Sequence, residues 1–221
     1  MISVAMITMN EESAVGPVIE SIKEAVPDAE VLIVDSSEDR TPEIAESMGA
    51  KVIRQFPPRG YGRAMDLALR SASGDVIVTM DCDNTYPAEK IPEVAQFVLS
   101  GEYDMVDCSR LEKKPVAMPW PNFIVNKLFA WLASLLFFRH FTDLHSGMRA
   151  YSSKLISNIE WEPDGAALPV ELLLKPYHEG FKVKTFFIDY HDRLGASKMN
   201  AVETSLWTVK RIMRIRFGGR R

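Results

Sequence analysis

Two aspartates one residue apart, Asp81 and Asp83, follow the most apolar short run of the chain, Asp75-Val-Ile-Val-Thr-Met80. Extended backbone sends residues i and i+2 to the same side, so both carboxylates face one way where that run ends. Held close, two such anions repel by roughly 1–4 kcal/mol, depending on the local dielectric. Two readings stand. Either the pair shares a hard divalent cation, Mg²⁺ or Mn²⁺, with coordination positions left for a diphosphate, or the acids are solvated at a strand end. Cys82, between them, points the opposite way into packing.

Other groups carry chemistry less sharply. In Val34-Asp35-Ser36-Ser37-Glu38-Asp39-Arg40-Thr41, Asp35 offers an acceptor for a ring N–H of a base, while the same Ser and Asp side chains serve equally as turn and helix-cap groups. Arg59-Gly60-Tyr61-Gly62-Arg63 precedes a helical stretch; glycine permits close backbone approach, and either arginine suits a phosphate. The four histidines are scattered. His145 sits inside Asp143–Arg149 and approaches the same region, whereas His140, His178 and His191 read as ordinary hydrogen-bonding residues.

The elements that must position these groups alternate. Ile2–Thr8, Glu30–Asp35, Lys51–Arg54, Asp75–Met80 and Tyr103–Cys108 read as strands. Helices are expected over Glu11–Ala25, capped by Asn10, and from Thr41 onward. Such alternation gives an α/β protein with a mostly parallel sheet covered on both faces, whose ligands gather at the carboxyl ends of the strands. The second half is more apolar. In Phe123–Phe138, 13 of 16 positions are apolar and Lys127 is the only charge. Its longest charge-free run, Leu128–Phe138, is 11 residues, against the ~20 needed to span a bilayer, which leaves a core helix or an interfacial one. Pro169–Gly180 and Lys198–Phe217 read as helices and Lys182–Tyr190 as a late strand; Lys210–Arg221 holds six basic residues and no acid.

Composition excludes several classes. At 221 residues the chain fits one domain. With 26 basic and 30 acidic residues, net charge −4, it lacks the basic surface of a generic nucleic-acid binder. Two cysteines without a CxxC spacing exclude a disulfide framework and a structural zinc site and fit a reducing cytosol. The opening MISVAMITMNEE has no basic n-region and reads as a strand rather than a signal peptide.

Taken in order, Asn10-Glu11-Glu12, the Asp35–Thr41 turn, Arg59-Gly60-Tyr61-Gly62, Ser73-Gly74-Asp75 leading into Asp81-x-Asp83, and Ser109-Arg110 resemble family 2 glycosyltransferases of the GT-A fold. Asp143-Leu-His-Ser146-Gly147-Met148-Arg149 and Arg193-Leu-Gly195-Ala-Ser197-Lys198 resemble the dolichyl-phosphate mannose/glucose synthase branch. The resemblance implies a single GT-A domain: a Rossmann-like, mostly parallel sheet flanked by helices, with a nucleotide-sugar-binding half (1–110) and an acceptor-binding half (111–221) whose helical C-terminal part is apolar or amphipathic. It implies an inverting, Mg²⁺- or Mn²⁺-dependent transfer of a hexose from a UDP- or GDP-linked donor to a polyprenyl phosphate.

Its residue assignments follow position by position. Asn10, Glu11 and Asp35 would contact the nucleoside, Asp35 on the base, with Asp39, Arg59 and Gly60 also on the donor side. Asp81 would face the sugar and diphosphate, and Asp83 would be the main metal ligand. Arg110 and Arg149 would lie near the acceptor phosphate; Arg193, Ser197 and Lys198 would clamp the donor diphosphate. Thr85 stands where some relatives carry Gln, and water would complete the metal shell. Lys127 substitutes for the basic residue that follows Trp-Pro in the acceptor region. The lipid acceptor would bring peripheral contact with an anionic membrane at the cytoplasmic face, helped by the apolar helix and basic tail; a homodimer is left open. The alternative is a soluble relative acting on a small phosphorylated acid or a glycan hydroxyl, in which Glu171 would serve as the base; otherwise Glu171 reads as a helix residue facing solvent or a loop. A nucleotidyltransferase fits less well, because Thr8-Met-Asn-Glu-Glu is too acidic for a triphosphate loop.

Overall fold

The computed structural model describes residues 1–165, 167–195 and 201–218. The alternation read from the sequence is present: β1 (Ile2–Thr8), α1 (Val15–Ala25), β2 (Glu30–Asp35), α2 (Thr41–Ser47), β3 (Lys51–Arg54), α3 (Tyr61–Ser71), β4 (Val76–Thr79), α4 (Ile91–Leu99) and β5 (Met105–Ser109). The second half adds α5 (Trp120–Phe137), β6 (Arg149–Ser152), α6 (Ser153–Asn158), α7 (Leu168–Glu179), β7 (Val183–Phe187) and α8 (Ala201–Phe217). The strands form one sheet in the order β3-β2-β1-β4-β6-β5-β7, drawn from both halves of the chain.

β1, β2, β3 and β4 run parallel, as do β5 and β7; β6 is antiparallel to both its neighbours, pairing Val78 and Val106 with Ala150. β6 was not anticipated. Its sequence, Arg-Ala-Tyr-Ser, has no apolar run, and it is a strand because two flanking strands supply its ladder. One sheet face buries Val15, Ile19, Ile91 and Val94 of α1 and α4; the other buries Met65, Leu69 and Leu173 of α3 and α7.

Asn10 does not cap α1. Its φ is 55°, its N–H donates to Ser37 Oγ at 2.7 Å, and its Oδ1 accepts from the Glu38 N–H at 2.8 Å. The loop after β1 is thereby bound to the loop after β2, and the helix starts four residues later than expected.

Of the two readings of the apolar helix, the structure removes one. In α5 only Ala130 and Ala133 are buried, while Trp120, Ile124, Leu128, Trp131 and Leu135 stand exposed, so it is not a core helix. No helix among the described residues is long and apolar enough to cross a membrane.

Candidate active site

The loops after β1, β2 and β4 meet residues from the second half around a cavity of about 380 Å³, lined by Thr8, Glu11, Ser36, Gly60, Tyr61, Asp81, Asp83, His145, Gly147 and Arg193, with Glu203 and Thr204 of α8 at one side. Asp81 and Asp83 therefore both reach the cavity, although they lie in the turn after β4 rather than in its last extended residues. Gly147 is the reason Asp81 fits: a Cβ there would lie 2.7 Å from both carboxylate oxygens of Asp81. Burial, then the neighbouring charge of Asp83, raises the Asp81 carboxyl to about 6. Cys82 is buried in the core, and burial pushes its thiol up.

Asp83 is held from two sides. Thr85 donates to its Oδ1 through both N–H (3.1 Å) and Oγ (2.5 Å), and the Arg193 guanidinium pairs with Oδ2. Thr85 thus orients Asp83 rather than substituting for a further metal ligand. Arg193 arrives because its segment is tied to the turn after β4: the His191 N–H donates to Thr85 O at 3.0 Å, and the Leu194 N–H to Asp83 O at 2.9 Å. Gly195, with φ 93°, lies against Glu11, a Cβ there standing 3.4 Å from Glu11 Oε2.

The cavity wall among the described residues carries four carboxylates, Glu11, Asp81, Asp83 and Glu203, against the single guanidinium of Arg193. A diphosphate would be repelled there without further positive charge. Two adjacent carboxylates with oxygen donors only suit a hard divalent cation. The described residues contain no group of three or more His, Cys, Asp and Glu placed to hold one, so a cation on Asp81 and Asp83 keeps positions for outside oxygen ligands, and it requires Arg193 to leave Asp83.

The remaining assignments divide. Asp35 is wholly buried, and all four of its lone-pair positions are taken: Thr8 Oγ (2.7 Å) and Ser37 Oγ (2.5 Å) donate to Oδ1, the Ser37 N–H (3.0 Å) and Arg54 to Oδ2. Here it organises the loop, and Ser36 is the residue of that turn exposed in the cavity. Asp39 takes up the capping chemistry, accepting from the Thr41 N–H (3.0 Å) and Oγ (2.5 Å). Arg59 is exposed beside Pro58 and Gly60, which line the cavity, whereas Arg63 is turned to Asp164 at 2.8 Å. Gly60 has φ 91°, a conformation that favours glycine, at the start of α3.

Arg110 forms a two-bond fork with Asp143 (2.7 and 3.0 Å) and stacks on Tyr190. Against the opposing effect of burial, that guanidinium holds the Asp143 carboxyl down at about 2. Arg149 lies elsewhere: its side chain is 1% exposed, and it binds Asp107 at 2.7 Å and the carbonyls of Leu144 and Pro169. It braces β5, β6 and α7 behind the cavity, with no face turned to a soluble phosphate. Lys127 donates to the carbonyl of Leu111. Ser197 and Lys198 lie outside the described residues.

Glu171 is not solvent-facing. It is buried and pairs with Arg211 and Arg214 of α8, away from the cavity. The basic tail is correspondingly less free than its sequence implies, since Arg216 also donates to Leu136 O at 2.7 Å.

A prediction arises from Asp81. Its native carboxyl titrates above the unfolded one, so the native state holds the extra proton between about pH 4 and 6, and stability falls as pH rises through that window. Above it an ionised Asp81 costs on the order of 3 kcal/mol at most. Asp81→Asn is expected to raise the melting temperature of the metal-free protein at pH 7.5 by several degrees. Calorimetry checks this; an unchanged or lowered transition refutes it.

A mostly parallel sheet flanked by helices, with a carboxylate pair in the turn after β4 opening on a cavity built from the sheet's loops, is the arrangement of the GT-A fold. The comparisons agree. Residues 3–159 match the profile of Glycosyl transferase family 2, and the chain belongs to that family. It is 42% identical over 200 residues to a dolichyl-phosphate hexose transferase of Haloferax volcanii, covering 90% of this chain and 86% of that one. It is 30% identical to a dolichol-phosphate mannosyltransferase of Pyrococcus furiosus over 79% of this chain, and spans about half of that relative's length (52%). The fold matches glucosyl-3-phosphoglycerate synthase from Mycobacterium tuberculosis, solved with Mn²⁺, UDP and glucosyl-3-phosphoglycerate, at TM-score 0.78 and 23% identity over 98% of this chain and 80% of that one.

Proposed function

We propose that this glycosyltransferase moves a hexose from a UDP- or GDP-linked donor to a polyprenyl (dolichyl) phosphate, with inversion, at the cytoplasmic face of a membrane. The observation that carries the reading is the carboxylate pair Asp81 and Asp83 in a cavity whose excess negative charge calls for a divalent cation before a diphosphate binds. The relative of Haloferax volcanii, matched along most of both chains, supports the acceptor class.

Bound on Asp81 and Asp83, Mg²⁺ or Mn²⁺ supplies positive charge to the departing diphosphate. Arg193, displaced from Asp83 but tethered through its neighbours' backbone bonds, is placed to bind the same diphosphate. In the reaction the bond from the anomeric carbon to the donor's phosphate oxygen breaks, and a phosphate oxygen of the acceptor bonds that carbon from the opposite face. This oxygen is ionised at pH 7, so no strong base is needed. Glu171, the base that the hydroxyl-acceptor alternative required, is not at the cavity.

A lipid acceptor needs a membrane-facing surface. α5 exposes Trp120, Ile124, Leu128, Trp131 and Leu135 along one stripe, continued by Phe138; α8, which touches α5, exposes Val202, Leu206, Val209, Met213 and Phe217 along another. Both stripes have the spacing of a single helix face. Burying each such side chain fully yields roughly 1.5–3 kcal/mol, so partial insertion of a few suffices for peripheral attachment.

The test incubates the protein with Mg²⁺ or Mn²⁺, UDP-glucose, UDP-N-acetylglucosamine or GDP-mannose, and a polyprenyl phosphate in anionic liposomes, followed by mass analysis of the lipid fraction. One glycosylated polyprenyl phosphate is expected, together with flotation of the protein. Transfer to a soluble acceptor only, with the protein left in the soluble fraction, overturns the reading.

A further inference from the structure

His145 has one ring nitrogen with a partner and one without. Nε2 lies 2.8 Å from Thr208 Oγ, and that hydroxyl donates its own proton to the carbonyl of Thr204 at 2.8 Å. The hydroxyl can then only accept from the ring, which places the imidazole proton on Nε2 and leaves Nδ1 as a bare lone pair. Nδ1 is buried and has no hydrogen-bond partner. An acceptor left in that condition costs about 1–3 kcal/mol relative to a satisfied one. The surroundings hold the ring neutral: burial outweighs the charge of Asp143, with the Arg110 and Arg149 guanidiniums acting in the same sense as burial, and takes the imidazole down to about 4.

His145 lines the cavity. It lies two residues from Gly147, the position packed against the carboxylate of Asp81. Its back is closed by Phe129, with ring centres 5.7 Å apart. A neutral lone pair cannot bind a phosphate oxygen or a carbonyl, which have no proton to give. It selects an O–H donor, and under the proposed function the hexose, joined directly to the diphosphate held at Asp81 and Asp83, would bring its hydroxyls to that side of the cavity.

We infer that His145 is a sugar-specificity residue, its Nδ1 accepting a hydrogen bond from one hydroxyl of the transferred hexose. The inference rests on the reading of the chain as a hexosyltransferase and adds the part of the donor that this side chain reads. Thr208 is its positioning partner: by holding the proton on Nε2 it fixes the acceptor character of Nδ1, and it links sugar recognition to α8.

The test uses the full chain, its preferred donor from the panel above, that donor's singly deoxygenated sugar analogues, and free UDP or GDP as the sugar-less probe. His145→Gln keeps a group near Thr208 and removes the Nδ1 acceptor; His145→Asn places an amide oxygen near Nδ1. With melting temperatures establishing that both variants fold, His145→Gln is expected to lower kcat/KM for the intact donor about 3- to 10-fold, leaving the Kd of the free nucleoside diphosphate unchanged. His145→Asn is expected to recover at least part of the loss. One deoxy analogue, and only one, is expected to show no difference between wild type and His145→Gln. Equal losses on every analogue, a matching loss in nucleoside diphosphate affinity, or no loss at all overturns the assignment. If His145→Gln unfolds, Thr208→Val is read in its place by the same analogue comparison. Wild type that binds UDP or GDP but turns over no hexose donor defeats the hexosyltransferase reading instead.

Discussion

Asparagine in place of Asp83 is expected to lower hexose transfer by about a thousandfold, at unchanged fold. The size follows from charge at the cavity. Among the described residues, four carboxylates face one guanidinium there, and that guanidinium is itself engaged by Asp83. A nucleotide sugar adds two further negative charges, and more gather on the leaving diphosphate as its bond to the sugar breaks. Removing one preorganised stabilising group from such a site costs about 10²–10³-fold, and the carboxylate pair holds the cation as well. Asparagine keeps the oxygen that accepts from Thr85, so the turn after β4 retains its hydrogen bonds. The measurement is kcat/KM for the preferred donor, with a thermal transition beside it. Chelation of the divalent cation is expected to reproduce the loss in wild type and be reversed by Mn²⁺. Activity within tenfold of wild type in either arm refutes the role of the pair.

The effect of Asp83→Asn contrasts with that of Asp81→Asn. Asp83 is satisfied on both oxygens, so its loss harms function with little gain in stability. Asp81 is raised by burial and by its neighbour, so its neutralisation is expected to stabilise the metal-free protein while harming function. The pair therefore carries strain that the fold holds for binding. A plain solvated strand end would show neither effect.

What was legible in the sequence follows from locality. The apolar run before Asp81 and the periodicity of β1 and β2 identify parallel strands with carboxylates at their ends, because each strand is apolar enough to declare itself. β6 did not, since Arg149–Ser152 becomes a strand only between β4 and β5, partners more than 40 residues upstream. For the same reason Arg149 read as a phosphate ligand: its partner Asp107 is set by the register of β5 on β6, which no local spacing encodes. Asp35 read as a base contact for want of Thr8 and Arg54, which close over it from neighbouring strands. The readings of α5 were left undecided because 13 apolar residues in 16 fit either a core or an interface; the exposed stripe removes the core reading. His145 carried a signal only by lying within the Asp143–Arg149 stretch. Its unpartnered nitrogen depends on Thr208, 63 residues away.

Glu171 gives the largest expected effect on stability. Its carboxylate and the Arg211 guanidinium are 4% and 1% exposed, and Arg211 also donates to the carbonyls of Glu162 and Asp164. Burial, with Arg214 adjacent, lowers Arg211 to about 10, so it remains charged at neutral pH. Removing one member of a buried pair strands the other charge, at about 3–5 kcal/mol. Glu171→Gln is therefore expected to lower the thermal transition by roughly 10 °C, whereas replacing both residues, Glu171→Leu with Arg211→Met, is expected to recover much of the loss. The kinetics separate this clasp from a catalytic base. A base would lose kcat at every temperature with its melting point intact and its pH profile changed. A clasp loses stability first, and well below the transition it keeps both kcat and the pH profile. The clasp also anchors the helix that closes one side of the cavity. This helix places Glu203 and Thr204 at the cavity and Thr208 on His145, while its outer stripe faces solvent; Glu171 fixes it to α7. A Glu171→Gln protein that melts with wild type and has lost transfer would return the carboxylate to catalysis.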